Sequence, residues 1–188
     1  YKGDNVVVIA IPRGGLPLGA VVAKALESPL DVALSKKIGH PYHKEYAIGA
    51  VSMENRILSD VAEISLSYLE EETRRIRKKL RQRQEQYYEN RTPSSLNNKT
   101  VILVDDGVAT GNTILVTAAL VQQQKPAKTV VAIPVAPPSA VILMEDAPDI
   151  DEVVCLLEPE HFYSVGHFYE RFDQVSDAEA ISLLSEHS

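Results

Sequence analysis

The sequence predicts an α/β fold: a mainly parallel, doubly wound sheet with helices on both faces, three layers in all. Three observations carry this. Residues 5–11 (NVVVIAI), 101–104 (VILV) and 129–135 (TVVAIPV) are continuous apolar, β-branched runs, as expected of parallel strands buried on both faces. The first two run directly into glycine-bearing loops and then into helical patterns. Strand and helix patterns alternate along the chain, with no internal repeat and no low-complexity tract.

Taken in order, the first strand ends in Pro12-Arg13-Gly14-Gly15, and residues 16–26 read as a helix with Pro17 in its first turn. Arg13 presents a cation able to bind in two-pronged fashion, and Gly14 and Gly15 open backbone N–H groups toward a ligand. A tight turn with a surface arginine is the plainer alternative. Residues 31–35 form a second strand candidate, ending in Lys36-Lys37. Residues 40–44 (HPYHK) hold two histidines without nearby carboxylates or cysteines, so they are not read as a metal site. Residues 45–53 and 56–59 have the pattern of a β-hairpin, a region of about 45–60.

A long helix follows over about 65–88. Leu69, Ile76, Leu80 and Tyr87 form one narrow apolar stripe, and three glutamates precede a run of arginines and lysines, which complements the helix dipole. Glu70–Arg74 and Glu71–Arg75 are the expected i,i+4 pairs. The basic run is read as a solvated helix face before a wall near phosphates or a nucleic-acid surface. Residues 91–98 make a polar connector.

Residues 101–113 (VILVDDGVATGNT) are the most informative stretch. The apolar strand runs into the adjacent carboxylates Asp105 and Asp106, then into the loop Gly107, Val108, Ala109, Thr110, Gly111, Asn112, Thr113, and a helix over 114–121. Free N–H groups at a helix start, with the positive end of its dipole, suit a phosphate. The two glycines permit close backbone approach, and the threonines add hydroxyl donors. The loop lacks the lysine of GxxxxGK[ST], so it is not a Walker loop. After a polar turn and the 129–135 strand, residues 139–145 read as a short helix and 152–157 as a further strand. The tail clusters aromatic rings and histidines over 161–169, and Ser176 with Glu179 has the spacing of a capping box opening a last helix.

The composition excludes several classes. An apolar share of 45% with 24% charged residues is that of a globular chain, and 188 residues suffice for one α/β domain with a real core. No run of about 18 apolar residues exists, which argues against a membrane span. Net charge of −7 opposes nonspecific nucleic-acid binding. Cys155, the sole cysteine, sits in VVCLL; it is expected in the core, and a cytoplasmic setting fits. The chain begins at Tyr1 rather than methionine, so further N-terminal sequence is expected.

The 101–113 motif, with PRGG behind it, closely resembles the phosphoribosyl-pyrophosphate (PRPP) binding motif of the type I phosphoribosyltransferases. The resemblance covers a core over 1–157, with 158–188 as a small C-terminal hood segment rather than an independent domain. It implies that residues 107–113 hold the 5′-phosphate and that Asp105 and Asp106 contact the ribose hydroxyls as the catalytic pair. Arg13, Gly14, Gly15 and a basic residue after the second strand (Lys36 or, preferred, Lys37) would hold the pyrophosphate. It implies Mg²⁺ bound mainly through PRPP, and a lid in the hairpin region. Phe162 or Tyr163 would stack on a nucleobase-like acceptor, or else seal the edge of the core. It leaves room for a homodimer. The activity implied is transfer of ribose 5-phosphate from PRPP to a nitrogenous base with release of pyrophosphate. A PRPP-sensing regulator or nucleic-acid binder without turnover, and a hydrolase using water, are the competing readings.

Overall fold

The computed structural model describes residues 1–3, 5–43, 46–59, 64–89 and 92–186. Glu45 and residue 60 of the expected hairpin region, Lys44 of the histidine loop, Arg91 of the connector and residues 187–188 of the tail lie outside them. The chain divides into two compact units, residues 1–33 with 91–188, and residues 34–90.

The first unit is built on a five-stranded parallel sheet. Its strands are β1 (Val6–Ala10), β2 (Leu30–Val32), β6 (Thr100–Val104), β7 (Lys128–Val135) and β8 (Glu152–Leu157), in the order β2-β1-β6-β7-β8. The β-branched runs explain this sheet, because every residue of β1 is buried and its two faces are both covered. On one face Val7 and Ile9 join Val101, Leu103, Val131 and Ile133. Against them pack Ile114, Ala118 and Val121 of α3 (Asn112–Gln122) and Ala140, Val141 and Met144 of α4 (Pro138–Glu145). On the other face α1 (Gly15–Leu26) packs on β1 and β2, and α5 (Asp177–Glu186) packs on α1 and β2. Gly19 makes the first of these contacts close: a Cβ there would stand 3.0 Å from that of Ala10. Helix α5 starts as expected, with the Glu179 amide donating to Ser176 Oγ at 3.1 Å. The connector is tied back to the sheet by the Ser94 amide, which donates to the buried Asp31 carboxylate at 2.7 Å.

Three expectations are corrected here. The strand expected over 31–35 is two strands in two sheets. Hydrogen bonding to β1 ends where the Ala33 amide donates to the Ala10 carbonyl, and β3 (Ser35–Gly39) belongs to the second unit. Lys36 and Lys37 therefore lie within a strand and not at the end of one. Cys155 is half-buried rather than fully enclosed, because β8 is an edge strand; its thiol donates to the Leu157 carbonyl at 3.3 Å, and burial holds its pKa above the usual value. In the long helix the ion pair formed is Glu72–Arg75, not Glu70–Arg74 or Glu71–Arg75, since Glu72 is the glutamate on the packed side.

The second unit is an antiparallel sheet β3-β4-β5, with β4 Ala47–Ser52 and β5 Arg56–Leu58, crossed by the long helix α2 (Leu66–Tyr88). The stripe read from the sequence is the one buried: Leu69, Ile76 and Leu80 close on Ile38, Ile48 and Val51. Ser65 caps the helix by accepting from the Tyr68 amide, and the Tyr68 hydroxyl donates to the Gly39 carbonyl at 2.7 Å. Among the described residues no helix is long and apolar enough to cross a membrane.

Candidate active site

A parallel sheet sends the carboxyl ends of its strands to one edge. Ligands bind there where strand order reverses, because the connecting loops diverge and leave a crevice. In the first unit that reversal falls between β1 and β6: the chain leaves β1 for β2 on one side, and later returns as β6 on the other. Ala10 and Val104 are register partners, so Pro12–Gly15 and Asp105–Thr113 leave the sheet side by side. Two amides stitch the first loop down, with Ile11 N–H donating to the Val104 carbonyl at 2.8 Å and Gly15 N–H to the Ile11 carbonyl at 3.0 Å. The Pro12–Arg13 peptide is cis.

Both glycines of the first loop are required by what lies beside them. A Cβ on Gly14 would overlap Asp106 Oδ2, and a Cβ on Gly15 would stand 2.5 Å from the Val104 carbonyl oxygen. The Asp106 carboxylate thus lies directly on the Gly14 backbone, and the two sequence motifs become one site. Arg13 is half-buried and reaches Asp177 Oδ1 at the start of α5, Nη1 to Oδ1 3.5 Å.

The acid pair is electrostatically loaded. Burial first, and the neighbouring Asp106 charge second, push Asp105 up to about 7 from 3.8. Asp106 is also held above its usual value by burial, against the opposing hydrogen bond with Asp105. The Asp106 amide donates to Asp105 Oδ1 at 2.9 Å, which orients that carboxylate. Beyond the acids, Gly107 takes φ +155° and Gly111 φ +81°, both in territory that favours glycine. Val108 is buried, its amide donating to the Val135 carbonyl at 2.9 Å, so the loop is pinned at its base. Above that anchor, Ala109, Thr110, Asn112 and Thr113 are exposed, and among the described residues the amides of 109–113 donate to no protein acceptor. The loop therefore presents a row of free donors at the positive end of α3.

The tail supplies what sequence reading did not single out. The Tyr169 hydroxyl donates to the Asp106 carbonyl at 2.6 Å, and Val165 packs so closely on Gly107 that a Cβ there would meet it at 2.7 Å. Burial and the two aspartates raise the Tyr169 pKa, keeping it a donor. No local signal marks Tyr169, because its role comes from a contact 63 residues away. Tyr169→Phe is expected to lower stability by about 1 kcal/mol and to weaken ligand affinity at the loop severalfold. A thermal melt with a parallel ligand titration checks this, and unchanged values in both would remove the role. Of the two rings expected to meet a base, Phe162 is half-buried and stacked on Phe168, with centroids 5.5 Å apart, while Tyr163 is 81% exposed and edge-on to His167. Lys37 belongs to the second unit, exposed in β3 opposite Ala50.

A sequence model of the phosphoribosyl transferase domain matches residues 1–165. Two Mycobacterium tuberculosis proteins, of strains H37Rv and CDC 1551, each named "Putative phosphoribosyl transferase", are 35% identical over 97% of the chain. The chain spans 42% of their length. The crystal structure of TT1426 from Thermus thermophilus superposes with a TM-score of 0.88 at 38% identity, over 99% of this chain and 90% of that one.

Proposed function

The chain belongs to the phosphoribosyl transferase domain family, and we propose from this premise that it transfers ribose 5-phosphate from PRPP to a nitrogenous base, releasing pyrophosphate. The observation that carries this reading is the seating of the Asp106 carboxylate on Gly14 at the sheet's reversal point. It joins a phosphate-type loop to a second glycine loop carrying a cation, which is what a sugar phosphate bearing a second phosphate group needs.

In this reading the free amides of 109–113, with the Thr110 and Thr113 hydroxyls, hold the 5′-phosphate. Asp105 and Asp106, with Asp105 ionised, accept from the ribose hydroxyls and set negative charge near C1. Breaking the bond from C1 to the pyrophosphate oxygen leaves oxocarbenium character on the sugar, which those charges stabilise while the base nitrogen forms its bond to C1 and gives up its N–H proton to solvent. Arg13 and the Gly14 amide receive the departing pyrophosphate, so the bond pair leaves onto a positively lined surface, while the Gly15 amide stays on the Ile11 carbonyl. The chemistry is mainly placement, worth several powers of ten when the geometry is held. The donor set suits Mg²⁺, since two crowded carboxylates with raised pKa values favour a hard cation nearby. Brought in with PRPP, it would be held beside Asp105 and Asp106 and would supply countercharge to the pyrophosphate. Tyr163 is the ring proposed to stack on the base, because Phe162 already spends a face on Phe168 and Val165 ties this segment to the loop.

The test is pyrophosphate release from PRPP and Mg²⁺ with a panel of purine, pyrimidine and xanthine-like bases. Base-dependent release is expected. Tight PRPP binding with no release under any base would instead make the protein a PRPP sensor, and base-independent release would make it a hydrolase.

A further inference from the structure

We propose that the second unit carries a separate site for a small-molecule polyphosphate, in the cleft between β5 and the middle of α2. The cleft has a volume of about 940 Å³, and five cations line it: Arg56 from β5, and Arg74, Arg77, Lys78 and Arg81 from α2. Glu70 is the one carboxylate among the described residues that line it. The helical positions explain the convergence, because residues 74, 77, 78 and 81 recur at spacings of three and four and so share one face.

Such a cluster opposes itself. Arg74–Lys78 and Arg77–Arg81 are like-charged i,i+4 pairs, an arrangement that destabilises a helix. Among the described residues none of the five cations is in an ion pair. Arg75, on the adjoining face of the same helix, is by contrast taken by Glu72. Two of the five are also held in place by neutral acceptors. Arg56 Nη1 donates to Thr73 Oγ1 at 3.2 Å, and Arg77 donates to the Glu54 and Ser52 carbonyls at 3.1 and 3.4 Å. Contacts of this kind orient a guanidinium without cancelling its charge, which pre-organises it for an anion.

The size and charge of the cleft select the ligand class. Four arginines suit the oxygen geometry of phosphate, and their number calls for several negative charges in one molecule. From residue 74 to 81 the helix rises about 10 Å, more than a single phosphate spans. A volume of 940 Å³ is that of a small-molecule site. A long nucleic acid would meet a chain of net charge −7 beyond the cleft. A linear di- or triphosphate, free or on a nucleoside, satisfies all of these.

Inorganic tripolyphosphate, measured by calorimetry without Mg²⁺, is the probe. Binding is expected to be tighter than that of orthophosphate. It should weaken about tenfold for each arginine removed in Arg74→Gln and Arg81→Gln, exposed changes whose melting curves verify the fold. In Gly14→Ala, which disturbs the PRPP loop, a tripolyphosphate site should remain and its loss on removing Arg74 or Arg81 should persist, so failure here is distinct from failure of the PRPP reading. Equal affinity for orthophosphate, no loss in the glutamine variants, no remaining site in Gly14→Ala, or displacement by a short single-stranded RNA would each overturn the proposal.

Discussion

Replacing Asp105 and Asp106 together by asparagine is expected to abolish turnover, by about 10²–10³-fold or more, while making the protein more stable at pH 8. The two effects share one cause. Asp105 ionises near 3.8 in an unfolded chain and at about 7 in the fold, because burial and the Asp106 charge disfavour its carboxylate. The folded protein thus holds a proton that the unfolded chain releases. Stability from this group is greatest below about pH 4, falls as pH rises to about 7, and is lowest above that. A shift of this size corresponds to up to ~4 kcal/mol. Asparagine keeps the oxygen that accepts from the Asp106 amide, discards the buried charge, and loses the acceptor proposed for the ribose. Melting temperatures at pH 5 and pH 8 provide the check: the wild-type decline between them should shrink in the variant. An unchanged decline would show that the pair is not loaded in this way, and unchanged pyrophosphate release would remove it from the mechanism. PRPP binding by the wild type should strengthen as pH rises through about 7, since the ionised form is the acceptor.

Gly14→Ala should cost about 100-fold in PRPP affinity with little change in melting temperature. Gly14 has φ −58° and ψ −35°, which alanine adopts without strain, so the backbone does not object. The new methyl falls on Asp106 Oδ2, a side-chain atom at the head of the site, and the carboxylate must leave its place. Gly15→Ala is the contrast, because there the methyl meets the Val104 carbonyl at 2.5 Å, backbone that cannot turn aside, and the β1–β6 pairing suffers with it. An isothermal titration with PRPP alongside thermal melts separates the two variants. Equal loss of fold in both would show that Gly14 serves packing and not the site.

Much of the fold and half of the site are legible from local chemistry. Uninterrupted β-branched runs can bury both faces only in a covered parallel sheet, which makes β1, β6 and β7 readable. A strand running into DDGVATGNT and then a helix marks an anion loop, because backbone amides at a helix start are short-range geometry. The α2 stripe and the Ser176 cap are readable for the same reason. The β8 strand is readable to its bounds, yet its place at the sheet edge is not, and so Cys155 lies nearer the surface than its apolar neighbours suggest. Lys37 reads as a strand-end cation because residues 31–35 look like one strand running into the lysine pair, and only pairing shows the break at Ala33.

The class of fold, and two loops with their acids, glycines and arginine, are already written in the order of residues, since each is a property of close neighbours along the chain. Tertiary packing makes Gly14 and Asp106 meet, closes Tyr169 and Val165 on the same loop, leans Arg13 on Asp177, and leaves Tyr163 rather than Phe162 with its ring exposed. Those are contacts between segments distant in sequence. They are set by the register of β1 on β6 and by where the tail packs, and no local pattern of residues encodes either one.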